Sequence, residues 1–354
     1  MRLRPVLPLA IALLMASGTA HAHPDHPVAP PVSGPVVTTP TYTDGWRGLA
    51  PIGTGPRQEH SVTAVNGKVY VLGGIVPDAA GGVTTTDRVE VYDTRRGTWS
   101  EAAPLPVVLN HPNVATIRGR IYVLGGLGGG ASWQAARDSF VYHPATDRWT
   151  ALPPMPEGTE RGSAAVGTRG TKIYLAGGMR TLTPGPGGVQ DTVDTVSSYD
   201  VLTGRWETLP SLPQARDHVG GAVIGGALYV LGGRDRGQVN VRDTVYALDL
   251  ATRRWTERAP MPTARGGIAT AVVGTKIYAL GGEGNPAPGS GSVFAENEAY
   301  DTAHDRWQRL APMPVPRHGT AAVAVGDTIY VPGGGTAGGG AAVVAVNDSY
   351  RPRG

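Results

Sequence analysis

A doubled glycine returns at near-constant intervals through this chain. The pairs stand at Gly73-Gly74, Gly125-Gly126, Gly177-Gly178, Gly232-Gly233, Gly281-Gly282 and Gly333-Gly334, spaced by 52, 52, 55, 49 and 52 residues. A period of that length marks repeat architectures, in which no unit can bury its own faces and each must stack on its neighbours. Three residues ahead of each pair is a tyrosine: Tyr70, Tyr122, Tyr174, Tyr229, Tyr278 and Tyr330. The local string, IYVLGG or a close variant, is a short apolar run closed by turn formers and predicts a buried strand.

A second marker follows each pair. Tyr92, Tyr142, Tyr199 and Tyr300 precede Trp99, Trp149, Trp206 and Trp307 by seven residues, and Leu248 takes the tyrosine position before Trp255. Each unit therefore reads as four short strands. Six such sheets around an axis cover one another's faces, which predicts an all-β chain folded as a six-bladed β-propeller. The tryptophan spacing of 49 to 57 places a sixth tryptophan near position 359, whereas the sequence runs to Gly354. The matching strand stands at the front, Trp46-Arg47-Gly48-Leu49-Ala50-Pro51. The last blade is thus expected to be closed by the N-terminal strand, which removes both exposed sheet edges of an open ring.

Composition agrees. With 52 glycines and 31 prolines the chain is a poor candidate for long helices, and the absence of cysteine excludes disulfides, thiolate metal sites and a cysteine nucleophile. Residues 1–22 read as a signal peptide: Arg2 and Arg4, an apolar stretch from Val6 to Met15, then Ala20-His21-Ala22. Residues 23–41 read as a Pro-rich leader and 42–354 as the propeller. A secreted or periplasmic location follows, with no membrane insertion after cleavage. Of 31 basic and 28 acidic residues, losing Arg2 and Arg4 leaves 29 against 28, so nucleic acid is not an expected partner.

The doubled glycine, the spaced tyrosine and tryptophan and a unit near 50 residues resemble the Kelch-repeat family over about residues 42–350. The resemblance implies the propeller fold, and it implies ligand binding by arginines before the innermost strand. It leaves function open, because one fold hosts many functions.

Strand order puts the long second-to-third loops (75–87, 127–137, 179–193, 234–242, 283–295 and 335–343) on one face, with short turns such as Asn66-Gly67 on the other. Long loops grouped on a rigid scaffold are the expected binding face. Thirteen residues before each strand tyrosine stand Arg57, Leu109, Arg161, Arg216, Arg265 and Arg317. Five guanidinium groups around the channel mouth suit carboxylate, phosphate or sulfate. Stacking on an aromatic, or pairing with an acid such as Glu59, Glu160 or Asp217, is the alternative for the same residues. His60, His111, His218 and His318 lie near that mouth at unequal offsets, so no metal site and no cofactor are expected; His218 is kept as a ligand contact. Trp133 in the blade-two loop suits stacking on a sugar or peptide. Glu283 and Glu59 are the candidates for a general base.

There is no nucleophile elbow and no phosphate loop. The expected function is an exported binding or interaction module for an acidic peptide, protein or glycan. The alternative is an exported acidic-sugar isomerase: periplasmic Kelch propellers that epimerise sialic acid are similar in leader, blade plan and arginine-lined mouth, though their long insertions are absent here. A copper radical oxidase is excluded, since its cofactor needs a cysteine.

Overall fold

The computed structural model describes residues 45–129, 132–183 and 189–352. The signal segment 1–22 and the Pro-rich segment 23–41 lie outside the described residues, as do 42–44 of the expected propeller.

Blade one is Ser61–Val65, Lys68–Leu72, Val89–Asp93 and Thr98–Ala102, and blade two is Val114–Ile117, Arg120–Gly128, Trp133–His143 and Arg148–Ala151. Blade three is Ala165–Arg169, Lys172–Ala176, Val196–Asp200 and Arg205–Leu209. Blades four and five follow the same order, Gly220–Ile224 to Trp255–Arg258 and Ala269–Val273 to Arg306–Arg309. Blade six joins Val323–Val325, Thr328–Pro332 and Asn347–Tyr350 to Trp46–Gly48, so the strand nearest the start of the chain closes the ring as expected. Trp46 lies opposite Tyr350 in the register that pairs Tyr92 with Trp99 and Tyr300 with Trp307.

The two sequence markers are the joints between blades. Every repeat tryptophan donates its indole N–H to a carbonyl at the end of the preceding blade, 2.9–3.5 Å away, from Trp46 on Ala311 round to Trp307 on Ala259. In five of the six pairs the second glycine donates its N–H to the next blade: Gly74 to Leu109 O, Gly178 to Arg216 O, Gly233 to Arg265 O, Gly282 to Arg317 O and Gly334 to Arg57 O, at 2.8–3.0 Å. A side chain on Gly281, whose φ is +60°, would collide with the Arg317 carbonyl oxygen. Only glycine allows the blades to approach this closely in that conformation. The buried tyrosines pack in the same joints, for example Tyr70 against Tyr142 with ring centroids 6.0 Å apart. Between the blades the apolar core of the described residues accordingly falls into six clusters, one for each pair of neighbours.

The loops of blades one to three depart from expectation. Leu127, Gly128 and Trp133 to Ala136 extend the blade-two hairpin, whose third strand also pairs with Met179–Leu182 from blade three. Ile75–Pro77 pairs with Val83–Thr85, and Met179–Leu182 with Gln190–Thr192. Parts of segments expected as loops thus pair as strands, their side chains alternating across the ladder.

Candidate functional site at the closed end of the axial channel

The five arginines of the thirteen-residue count do not line a mouth. Arg57, Arg161, Arg216, Arg265 and Arg317 are each 0% exposed. Their guanidinium groups turn into their own blades and donate to carbonyl oxygens there, such as Gly177 O at 2.7 Å for Arg161 and Gly281 O at 2.8 Å for Arg265. The partner two residues before the third-strand tyrosine changes with the blade. Arg57 meets Glu90 at 2.6 Å, Arg161 meets Ser197 at 2.9 Å, Arg216 stacks on Tyr246 at 4.8 Å, Arg265 meets Glu298 at 2.5 Å and Arg317 meets Asp348 at 2.8 Å. In blade two the pair is Leu109 and Phe140, both buried. This corrects the expectation of an arginine-lined mouth. A guanidinium at this position spans carbonyls that would otherwise end unpaired inside the blade.

The loop face is sealed over the axis. Ile75, Leu127, Trp133 and Met179 form a buried apolar cluster, so Trp133 is 7% exposed and packed into the seal, where a ligand cannot stack on it. On the other half, the loop 335–343 folds inward. Gln58 Nε2 donates to Gly339 O at 2.6 Å and His318 Nε2 to Ala337 O at 2.8 Å. Beneath it Arg234 is clamped by Glu283 and by Asp217, the latter at 3.2 Å. Glu283 also faces His318 at 3.4 Å and lies behind the channel wall.

Under this seal runs an axial cavity of about 580 Å³, lined by the six innermost strands. Its open end is the face of the short turns. Thr168 and Val272 at that end are exposed, whereas Glu59, His111 and His218 at the other are buried. The closed end is a collar of six residues, one per blade: Glu59, His111, Ser163, His218, Gly267 and Gly319. All have φ between 49° and 60°, the left-handed region. They are hydrogen-bonded around the axis: Glu59 N to Gly319 O, His111 N to Glu59 O, Ser163 N to His111 O, His218 N to Ser163 Oγ and Gly267 N to His218 O, at 2.6–3.1 Å.

Three collar side chains converge. His111 Nε2 lies 3.0 Å from Glu59 Oε2 and 3.1 Å from His218 Nε2. His111 Nδ1 donates to Asn110 Oδ1 at 2.6 Å, and the Asn110 amide is oriented by its own donation to Thr85. His218 Nδ1 donates to Asp217 Oδ1 at 2.6 Å, leaving Nε2 to accept from Arg234 at 3.1 Å. Burial pushes the Glu59 carboxyl up, but the charge and hydrogen bond of His111 hold it well below the usual carboxylate range. Burial likewise opposes ionisation of Asp217, yet the His218 hydrogen bond and Arg234 bring it down to about 2. Burial and Arg234 lower the His218 imidazole. Unequal offsets gave no reason to expect the four histidines to converge, yet His111 and His218 do. They share an offset of two from the arginine position with Glu59, while His60 and His318 do not. Asn110, Asp217 and Arg234 were not singled out as site residues. The signal for the collar was glycine at the same offset in blades five and six, which marks a left-handed backbone.

The description of the KLHDC2/KLHL20/DRC7 Kelch-repeats domain fits residues 110–334, and that of the Kelch motif fits residues 56–106. Over 299 residues the chain is 43% identical to Kelch-like protein terF of Aspergillus terreus, covering 84% of this chain and 65% of that relative. It is 31% identical over 184 residues to Kelch-like protein 25 of Xenopus tropicalis, covering 50% of this chain and 29% of the relative. The chain thus spans under two thirds of these relatives' lengths. The solved structure of YjhT superposes with a TM-score of 0.67 and 17% identity over 84% of this chain and 95% of that one, a likeness of fold. With the doubled glycines and repeat tryptophans acting as the joints of six blades, and a matching domain description across four of them, the chain belongs to the Kelch-repeat family.

Proposed function

We propose that this protein is an exported binding module that takes the end of a small acidic ligand, a peptide or acidic glycan, into its axial channel from the turn face. The observation that carries the reading is the channel itself: one open end, walls of small and β-branched residues, and a polar floor of Glu59, His111 and His218. Concave sites with a few convergent polar groups are where small ligands bind. Charge at the open end supports the acidic class. The turn tips nearest the axis carry Arg118 and Arg169, both exposed, and the only acid in those turns is Asp327. Lys68, Lys172 and Lys276 also start strands there, but each faces an aspartate across its sheet. Export rests on the leader at residues 1–22.

The test is calorimetric titration with acidic peptides and acidic sugars against the wild type and a channel-blocking Val272→Trp variant. Ligand binding lost in the variant is the expected result. Binding that survives the block, or needs the loop face, overturns the channel reading and points to a protein partner on the loops. An isomerase acting on an acidic sugar is the second reading. It is favoured by the 3.0 Å contact between Glu59 and His111, an acid–base pair open to the channel. Solvent deuterium entering the sugar, or accelerated anomer exchange by NMR, would support it.

A further inference from the structure

Blades five and six build the collar with Gly267 and Gly319, the residue that suits a left-handed backbone. Blades one, two and four place Glu59, His111 and His218 in the same conformation, which disfavours side chains. Strain of this kind is kept where the side chain has a task. These three side chains meet, and their ligand atoms all lie within 4.8 Å of one another. We propose that the channel floor binds one divalent first-row transition metal ion through Glu59 Oε2, His111 Nε2 and His218 Nε2.

Three independent features support the assignment. First, spacing: bonds of about 2.0–2.1 Å at right angles put neighbouring donor atoms about 3 Å apart; two of the edges here are 3.0 and 3.1 Å, and the third, Glu59 to His218, lies within 4.8 Å and closes as Glu59 moves onto the ion. Second, each imidazole is held from behind. Asn110 Oδ1 and Asp217 Oδ1 accept the Nδ1–H of His111 and His218, both at 2.6 Å, which fixes each ring and leaves its Nε2 as the atom that can bind an ion. Metal-binding histidines are held this way by a carbonyl or carboxylate. Gln58 Nε2 similarly holds Glu59 Oε1 at 3.0 Å. Third, charge: the buried carboxylates Asp217 and Glu283 share one buried guanidinium, Arg234, and Glu59 has only the His111 imidazole beside it, so a dication that takes the place of the His111 proton suits the deficit. Two histidines and a carboxylate on one side of an ion leave positions open. Here those positions face the channel.

Arg234 donates to His218 Nε2 at 3.1 Å, on the atom that would take the ion, so its planar guanidinium must pivot as a unit, drawing its contacts to Asp217 and Glu283 with it, for the ion to bind. An ion in this place would take the carboxylate of the entering acidic ligand as a further donor, a corollary that rests on the channel reading above.

The probes are Zn²⁺ and Co²⁺, titrated into the leader-cleaved chain carrying His23→Ala and His26→Ala, which removes the histidines of the Pro-rich segment. One ion per chain is expected, with X-ray absorption counting two imidazole ligands on the otherwise unaltered protein. His111→Gln and His218→Gln should abolish that binding, and Asn110→Ala should weaken it about 10- to 100-fold. No ion bound, a spectrum without imidazole, or unchanged binding in His111→Gln/His218→Gln would overturn the site. The absorption spectrum needs no floor variant, so a variant that misfolds does not blunt the test. Ion binding without ligand binding sinks the acidic-ligand reading and leaves the metal site. Ligand binding in the channel with no ion bound does the reverse.

Discussion

Arg57 and its four counterparts show how one position carries charge without presenting it to a ligand. The thirteen-residue count found the position, because the repeat fixes backbone register. It could not find the direction, because the partners Glu90, Tyr246, Glu298 and Asp348 stand on a different strand and vary by blade. Leu109 held the clue: where the charge is missing, the third-strand position holds Phe140. The blade-two pair should therefore be transplantable. Arg57→Leu leaves Glu90 buried and unpaired, and is expected to destabilise by about 3–5 kcal/mol. Adding Glu90→Phe should restore most of that loss in urea unfolding. A double variant as unstable as the single would show that the carbonyl contacts of Arg57 matter more than its acid. Acid sensitivity is also a residue property. Asp147 accepts from Tyr142 Oη at 2.6 Å and from Ala103 N at 2.7 Å, and these bonds hold its carboxyl below the usual range. Its contribution is present above about pH 4 and is lost as pH falls further. Melting temperature should drop across that window, less steeply in Asp147→Asn.

At the scale of strands and loops, legibility followed the repeat. The closing strand was readable because Trp46 carries the outer-strand marker, and every first-to-fourth strand assignment rested on markers of the same kind. The pairing of Ile75–Pro77 with Val83–Thr85 and that of Met179–Leu182 with Gln190–Thr192 were not readable, because nothing repeats to reveal them. The joint between blades six and one is the thinnest of the six. Only Val62, Val69, Val71 and Tyr92 are fully buried there, and Val323–Val325 is half-buried throughout. Hydrogen exchange should find its fastest strand amides in Val323–Val325. Trp46→Ala, which removes an indole 3% exposed and its bond to Ala311, should cost about 3–5 kcal/mol and extend that fast exchange to Asn347–Tyr350. Uniform exchange over all six blades would instead mean that the ring opens as one unit.

For the molecule as a whole, the blade count and its closure were readable, and the polarity of the channel was not. Loop length pointed to the 75–87 side, yet length there serves to seal the axis. Two facts visible only in three dimensions turned the site around: the apolar cluster at Ile75, Leu127, Trp133 and Met179, and the inward fold of the loop 335–343. The shared blade also gives synthesis an order. Trp46 is made some 304 residues before Tyr350, its partner. Drawing so long a loop shut costs about 5 kcal/mol of chain entropy, and none of it is recovered until the last strand exists. Among the described residues, the first strand to emerge is thus the last to find its place. Until it does, blade six offers the free edge of Asn347–Tyr350 to whatever strand is nearest, a second nascent copy included.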